Sequence, residues 1–203
     1  WTAAKSIAPY FLDTVWNEAS KILKAKNISI GEGGWKIKTS LNQAHQKAAE
    51  DAINKNMPDT DLQVAFVSMN PDTGFVTALV GGRDYSDSFY NRVTVTERQS
   101  GSSIKPFLYA AALENGYTPL TFMDVSETTI TYDSGRETYT PKNINKKYAK
   151  NEISLAQAMA ISDNVYAVKT LVDIGYKDYR NMLERFNLNY SNQDVPATAL
   201  GTT

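Results

Sequence analysis

The chain has 203 residues with a formal net charge of −1, 42% hydrophobic and 21% charged residues, which describes a soluble globular class. No basic stripe points to nucleic acid, and no apolar run approaches the ~20 residues of a membrane span. With no cysteine and His45 as the single histidine, thiolate catalysis, disulfides and cysteine-type zinc sites are excluded.

In chain order, the first 60 residues read as a connector. Pro9 suits a first helical turn, and Phe11, Val15, Ala19, Ile22 and Leu23 continue a helical stripe. "NISIGEGG" ends it, and Trp35, Ile37 and Thr39 alternate as a short strand would. Ser40 with Gln43 predicts a capping box for a helix carrying Ala44, Ala48, Ala49, Ala52 and Ile53. His45 lies on that helix and reads as a satisfied or solvated surface residue. "NKNMPDTD" is the expected domain boundary.

From Leu62 the pattern becomes β-rich. "LQVAFVSM", the turn "NPDTG" and "FVTALVGG" predict a hairpin whose remaining sheet partners are not evident in the chain. A polar connection leads to "RQSGSSIKPFLYAAALENG", where Ile104, Phe107, Leu108, Ala111 and Ala112 form one apolar helical face. Residues 117–150 read as polar and turn-rich. Ser154 and Gln157 predict a capped helix through Ala160, "SDN" interrupts, and a further helix starts near Val165. The stripe Met182, Leu183 and Phe186 follows, with Glu184 as a solvated residue beside it. The order is connector, hairpin, then mostly helices.

Chemistry concentrates at Ser102. Serine needs an adjacent base to act as a nucleophile at neutral pH. Residues i and i+3 share a helix face, so Lys105 reaches toward the Ser102 hydroxyl, and desolvation can make its amine a proton acceptor. The free N–H groups of the helix start favour developing negative charge. Gly101 permits the tight turn and Pro106 fits only the first turn. Ser102 alone of the serines has lysine at +3, yet an N-cap serine beside a snorkelling lysine would look the same. Ser-x-Asn occurs at Ser40/Asn42, Ser68/Asn70 and Ser162/Asn164. Only the third lies between two helices; there Ser162 offers a hydroxyl for proton relay and Asn164 an amide to orient a peptide.

S-x-x-K followed by S-D-N resembles the penicillin-interacting serine acyltransferases. The likeness extends over nearly the whole chain. "GGWKIKTSLNQAHQKAAEDAI" is similar to the interdomain stretch of class A penicillin-binding proteins. "VAFVSMNPDTGFVTALVGGRDYSDSFYNR" is similar to the hairpin opening their transpeptidase domain. "YTPKN" and "ISLAQAMAISDNVYAVKTL" resemble the run into their second motif, and the Gram-positive 1b type is nearest. Before Gly101 the family often has proline, where this chain has Ser100.

The resemblance implies an α+β fold of the serine β-lactamase/D,D-peptidase type, with helices packed on an antiparallel sheet and incomplete in this chain. It implies an interdomain region at 1–60 (helix, short strand, helix) and the N-terminal part of a transpeptidase domain at 61–203. The implied activity is cross-linking of peptidoglycan stem peptides through an acyl-enzyme on Ser102. Lys105 would be the base, Ser162 a relay and Asn164 a substrate-orienting group, with no metal or cofactor, and β-lactams would acylate the same serine. The implied location is the extracellular face of the bacterial cytoplasmic membrane, anchored by a segment outside this chain, which reads as an interior fragment. The family's third motif, Lys-Ser/Thr-Gly, is absent after Asn164, so its partner is expected to be the rest of the domain. A D,D-carboxypeptidase, a β-lactamase-like hydrolase using Glu184, and a penicilloyl sensor are the competing readings.

Overall fold

The computed structural model describes residues 6–57, 60–145, 147–190 and 194–202. The chain forms two units, Trp1–Glu97 and Arg98–Thr203. The boundary expected at 54–61 includes residues 58 and 59, which lie outside the described residues.

In the first unit, α1 (Pro9–Lys24) starts with its proline in the first turn and buries Tyr10 and Phe11. Helix α2 (Gln43–Asn56) is capped by Asn42, whose Oδ1 accepts from the N–H groups of Ala44 and His45 at 3.0 and 3.2 Å. Strands β1 (Phe66–Met69) and β2 (Val76–Val80) pair antiparallel, with Val67 opposite Leu79. Their turn is held by Asn70, whose side chain accepts from Asp72 and Thr73 N–H, and Gly74 takes the positive φ of 70° that closes it. A short α3 (Arg92–Val95) follows. Leu79 and Val80 of the hairpin bury against Tyr10, Phe11 and Ala49, so the hairpin shares one core with the first two helices.

Two local expectations fail here. The strand expected at 35–39 is irregular backbone. Gly33 and Gly34 both take positive φ just before it, and the segment that follows reaches β2 through isolated bonds rather than a ladder, Ser40 Oγ to Val76 O at 2.6 Å and Asn42 N–H to Thr77 O at 2.8 Å. The capping box expected from Ser40 and Gln43 is replaced by the Asn42 cap, because the Ser40 hydroxyl is committed to that strand.

In the second unit, a 3₁₀ turn at Gly101–Ile104 runs into α4 (Lys105–Glu114). Ile104, Leu108, Ala111 and Ala112 are buried as the spacing predicts, and Phe107 is half-buried. The stretch 117–150, read as polar and turn-rich, holds β3 (Phe122–Met123), β4 (Ile130–Tyr132) and β5 (Glu137–Tyr139), and β6 (Ile153–Ser154) pairs with β3. Strands of two or three residues are too short to show alternation. Helix α5 (Leu155–Ile161) has the Ser154/Gln157 capping box, and α6 (Asn164–Ile174) and α7 (Tyr176–Arg185) follow. Helix α4 packs on α6 and α7 around Leu108, Val165, Val168, Leu171 and Leu183. Phe186 departs from its expected stripe. It follows α7, is 53% exposed and sets its ring edge against Phe107 at 4.8 Å. The class is α+β. Among the described residues the strands form three separate antiparallel pairs, with α1 and α2 on the first.

Candidate active site

The four residues singled out in the sequence all lie in the second unit. Ser102 is exposed on the 3₁₀ turn. In a 3₁₀ helix residues i and i+3 eclipse, so Ser102 and Lys105 leave the turn on one side. Pro106 occupies the first turn of α4, where its missing N–H leaves no orphan. Gly101 takes a φ of 56°, and its N–H donates to the carbonyl of Gly201 at 3.0 Å. A Cβ on Gly201 would collide with the Gly101 backbone, so the turn carrying Ser102 rests on the 3₁₀ turn at Pro196–Leu200.

Lys105 is only 3% exposed, and its ammonium is surrounded by the S-D-N turn. Its Nζ donates to Asn164 Oδ1 at 2.7 Å, Ser162 O at 2.8 Å, Ser162 Oγ at 3.1 Å and Asp163 O at 3.2 Å. The Ser102 hydroxyl is not among these acceptors; all four are oxygens of Ser162, Asp163 and Asn164. Burial disfavours the charged amine and lowers its pKa from the usual 10.5 to about 8, with the Asp163 carboxylate pulling the other way. A lysine near 8 has a usable neutral fraction at neutral pH, which suits a proton acceptor.

The turn is built to present those oxygens. Ser162 ends α5 in the left-handed conformation (φ 56°, ψ 44°), which costs a residue with a Cβ roughly 1–2 kcal/mol. Glycine would sit there without that cost; serine supplies a hydroxyl that points, with its own carbonyl, at Lys105. Asp163 is 2% exposed and caps α6, its Oδ1 accepting the Tyr166 N–H at 2.8 Å. Asn164 begins α6 without capping it. Its amide is spread between Lys105 on Oδ1 and Lys142 O, which accepts from Nδ2 at 2.8 Å.

Sequence reasoning missed Asp163, which stood as the middle letter of a motif, and Asn143, which stood in "YTPKN" without a role. The remaining candidates sit elsewhere. His45 is exposed in the first unit with Nδ1 3.1 Å from Thr77 Oγ1, and Glu184 is exposed on α7, directly after buried Met182 and Leu183. Ser40 and Ser68 are also in the first unit, with Ser68 Oγ accepting from Thr77 Oγ1 at 3.1 Å.

Residues 64–201 match the penicillin binding protein transpeptidase domain family. Penicillin-binding protein 2D of Bacillus subtilis is 40% identical over 200 residues, 98% of this chain and 29% of that protein. Penicillin-binding protein 1A of Vibrio cholerae is 42% identical over 126 residues, 62% of this chain and 15% of that protein. The chain thus spans less than a third of the length of these relatives. The crystal structure of penicillin-binding protein 1A from Haemophilus influenzae superposes with a TM-score of 0.62 at 35% identity, covering 68% of this chain and 20% of that one. The PonA1 protein of Mycobacterium tuberculosis, solved with penicillin V, has the same fold over 93% of this chain and 54% of its own, with a TM-score of 0.72 and 21% identity.

Proposed function

The chain belongs to the penicillin-binding protein transpeptidase family, and we propose that it carries the nucleophile half of a peptidoglycan D,D-transpeptidase. Residues 61–203 are the N-terminal part of that domain, a reading supported by the family match over 64–201. In the proposed reaction neutral Lys105 takes the Ser102 proton, and Oγ attacks the D-Ala–D-Ala carbonyl of a stem peptide. The tetrahedral oxyanion collapses, the peptide C–N bond breaks, and the terminal D-Ala leaves with a proton relayed through Ser162. An amine of a second stem then attacks the ester and regenerates Ser102. Asn164 orients the donor peptide through the amide hydrogen its two bonds leave over. β-Lactams acylate the same serine, and no metal or cofactor takes part.

The observation that carries this reading is Lys105, buried beside an exposed serine on the same side of one turn and gripped by the S-D-N turn. A cation that only snorkelled would hold its head in water. In this reading the second side of the cleft carries a Lys-Ser/Thr-Gly strand belonging to the rest of the domain, as a separate chain or a further segment. The working location is the extracellular face of the bacterial cytoplasmic membrane, with an anchor outside the chain; among the described residues no helix is long and apolar enough to cross a membrane.

The test is partitioning of the acyl-enzyme. The full-length protein is given a stem-peptide ester or thioester with and without a D-amino acid acceptor. Transfer to the amine in preference to water supports a transpeptidase. Hydrolysis unaffected by the amine makes it a carboxypeptidase or hydrolase, and an adduct that neither transfers nor hydrolyses makes it a sensor.

A further inference from the structure

The S-D-N turn is held from outside by a side chain that belongs to neither motif. Asn143 lies in the loop before β6, and three of the four hydrogen-bonding directions of its side-chain amide are used, both N–H donors among them. Its Oδ1 accepts the backbone N–H of Asn164 at 2.8 Å. Its Nδ2 donates to Asp163 Oδ2 at 2.8 Å and to Lys147 O at 2.9 Å. The preceding residue offers its carbonyl, Lys142 O, to Asn164 Nδ2. The loop is itself anchored, since Pro141 is fully buried and Tyr148 and Ala149 pack on the core.

This arrangement selects one orientation of the Asn164 amide. With Lys142 O on one side only a donor fits there, which leaves Oδ1 facing the Lys105 ammonium. A flipped amide would set NH₂ against NH₃⁺ and carbonyl against carbonyl. Asparagine is the side chain the position needs: one acceptor for the Asn164 N–H and donors for a buried carboxylate. Aspartate would place a second carboxylate against Asp163, and alanine would leave the Asp163 oxygen and the Asn164 N–H unpaired.

We propose that Asn143 is a positioning residue for acyl transfer, fixing the S-D-N turn and thereby the place of the Asn164 amide and Lys105 Nζ. The proposal rests on the transpeptidase reading for its effect on rate, and on geometry alone for its effect on the turn. A merely loop-closing asparagine would lower stability without touching the chemical step.

The experiment uses the full-length protein with Asn143→Ala, Asn164→Ala and the double variant. A fluorescent penicillin gives the acylation rate constant and the pre-acylation affinity separately, and hydrogen exchange reports the 162–166 amides. Asn143→Ala is expected to slow the acylation step on the order of 10²-fold, as a reacting group displaced by about 1 Å would. Protection of the Asn164 amide should fall. The double variant should be little slower than Asn164→Ala, because the two residues act in series. Asn143→Asp keeps the side-chain size and the acceptor and should show a comparable loss. Additive effects, or full acylation rate in either Asn143 variant, would overturn the proposal. If the unaltered protein does not react with penicillin, the functional reading fails, and unchanged protection of the Asn164 amide in Asn143→Ala then refutes the clamp by itself.

Discussion

At Lys105 two physical effects oppose each other. Four oxygens within hydrogen-bond reach favour the ammonium, and burial penalises it; burial prevails, and the pKa falls to about 8. Between about pH 8 and 10.5 the unfolded chain holds the proton and the folded one does not, so this group's destabilising contribution is full below pH 8 and is relieved as pH rises through that window. With Lys105 as the proposed base, the neutral amine is the active form. Acylation of Ser102 should therefore rise with pH to a midpoint near 8 and level off above it, and Lys105→Arg should lower the rate by about 10²–10⁴-fold with that limb gone. A rate–pH profile checks both; an unchanged profile in the arginine variant makes Lys105 structural. Asp163 moves the same limb. Its carboxylate stabilises the ammonium, so Asp163→Asn, which keeps a competent cap, should shift the midpoint to lower pH. A shift upward, or none, contradicts the electrostatic account.

Elements show what could be read in advance and what could not. Helix α4 was legible because its apolar face repeats with helical spacing and Gly101, Ser102 and Pro106 mark its start. The α5 capping box was legible for the same local reason. Lys105 and the S-D-N turn are 57 residues apart in sequence at their nearest bond, and no local pattern states that they meet. Family resemblance joined them, not periodicity. Asn143 stayed hidden because its work is done by one amide on a turn 20 residues away. The same holds for Gln46, which stood inside the predicted helix after Ser40 without a role. It is 3% exposed, and its amide accepts the Leu79 N–H at 2.9 Å and donates to Leu79 O at 3.1 Å, pairing with β2 as another strand would. Gln46→Ala should leave both Leu79 groups buried and unpaired, costing about 1–3 kcal/mol each before relaxation. Urea denaturation would measure this as a lower midpoint at unchanged slope, and a loss under about 0.5 kcal/mol would show that water replaces the amide.

On the scale of the whole molecule, the two units differ in content. The first encloses the hairpin with α1 and α2, and the second contains every residue proposed to act on substrate. Phe66, Val67 and Met69 of β1 are 40%, 43% and 57% exposed. The strand carrying Lys-Ser/Thr-Gly would add an oxyanion donor, and losing one such donor costs roughly 10²–10³ in rate. Residues 1–203 alone should react with penicillin at least that much more slowly than the full-length protein, with reactivity restored by adding the complementary piece. Equal second-order acylation by the 203-residue chain alone would mean that its site is already complete.

The central claim is that one serine becomes acylated. The most direct measurement is mass mapping of the full-length protein after β-lactam treatment, with Ser102→Ala as the control. A single adduct on the peptide containing Ser102, absent from the variant, is the predicted result. An adduct on Ser103 or Ser162, or one that survives Ser102→Ala, would contradict it.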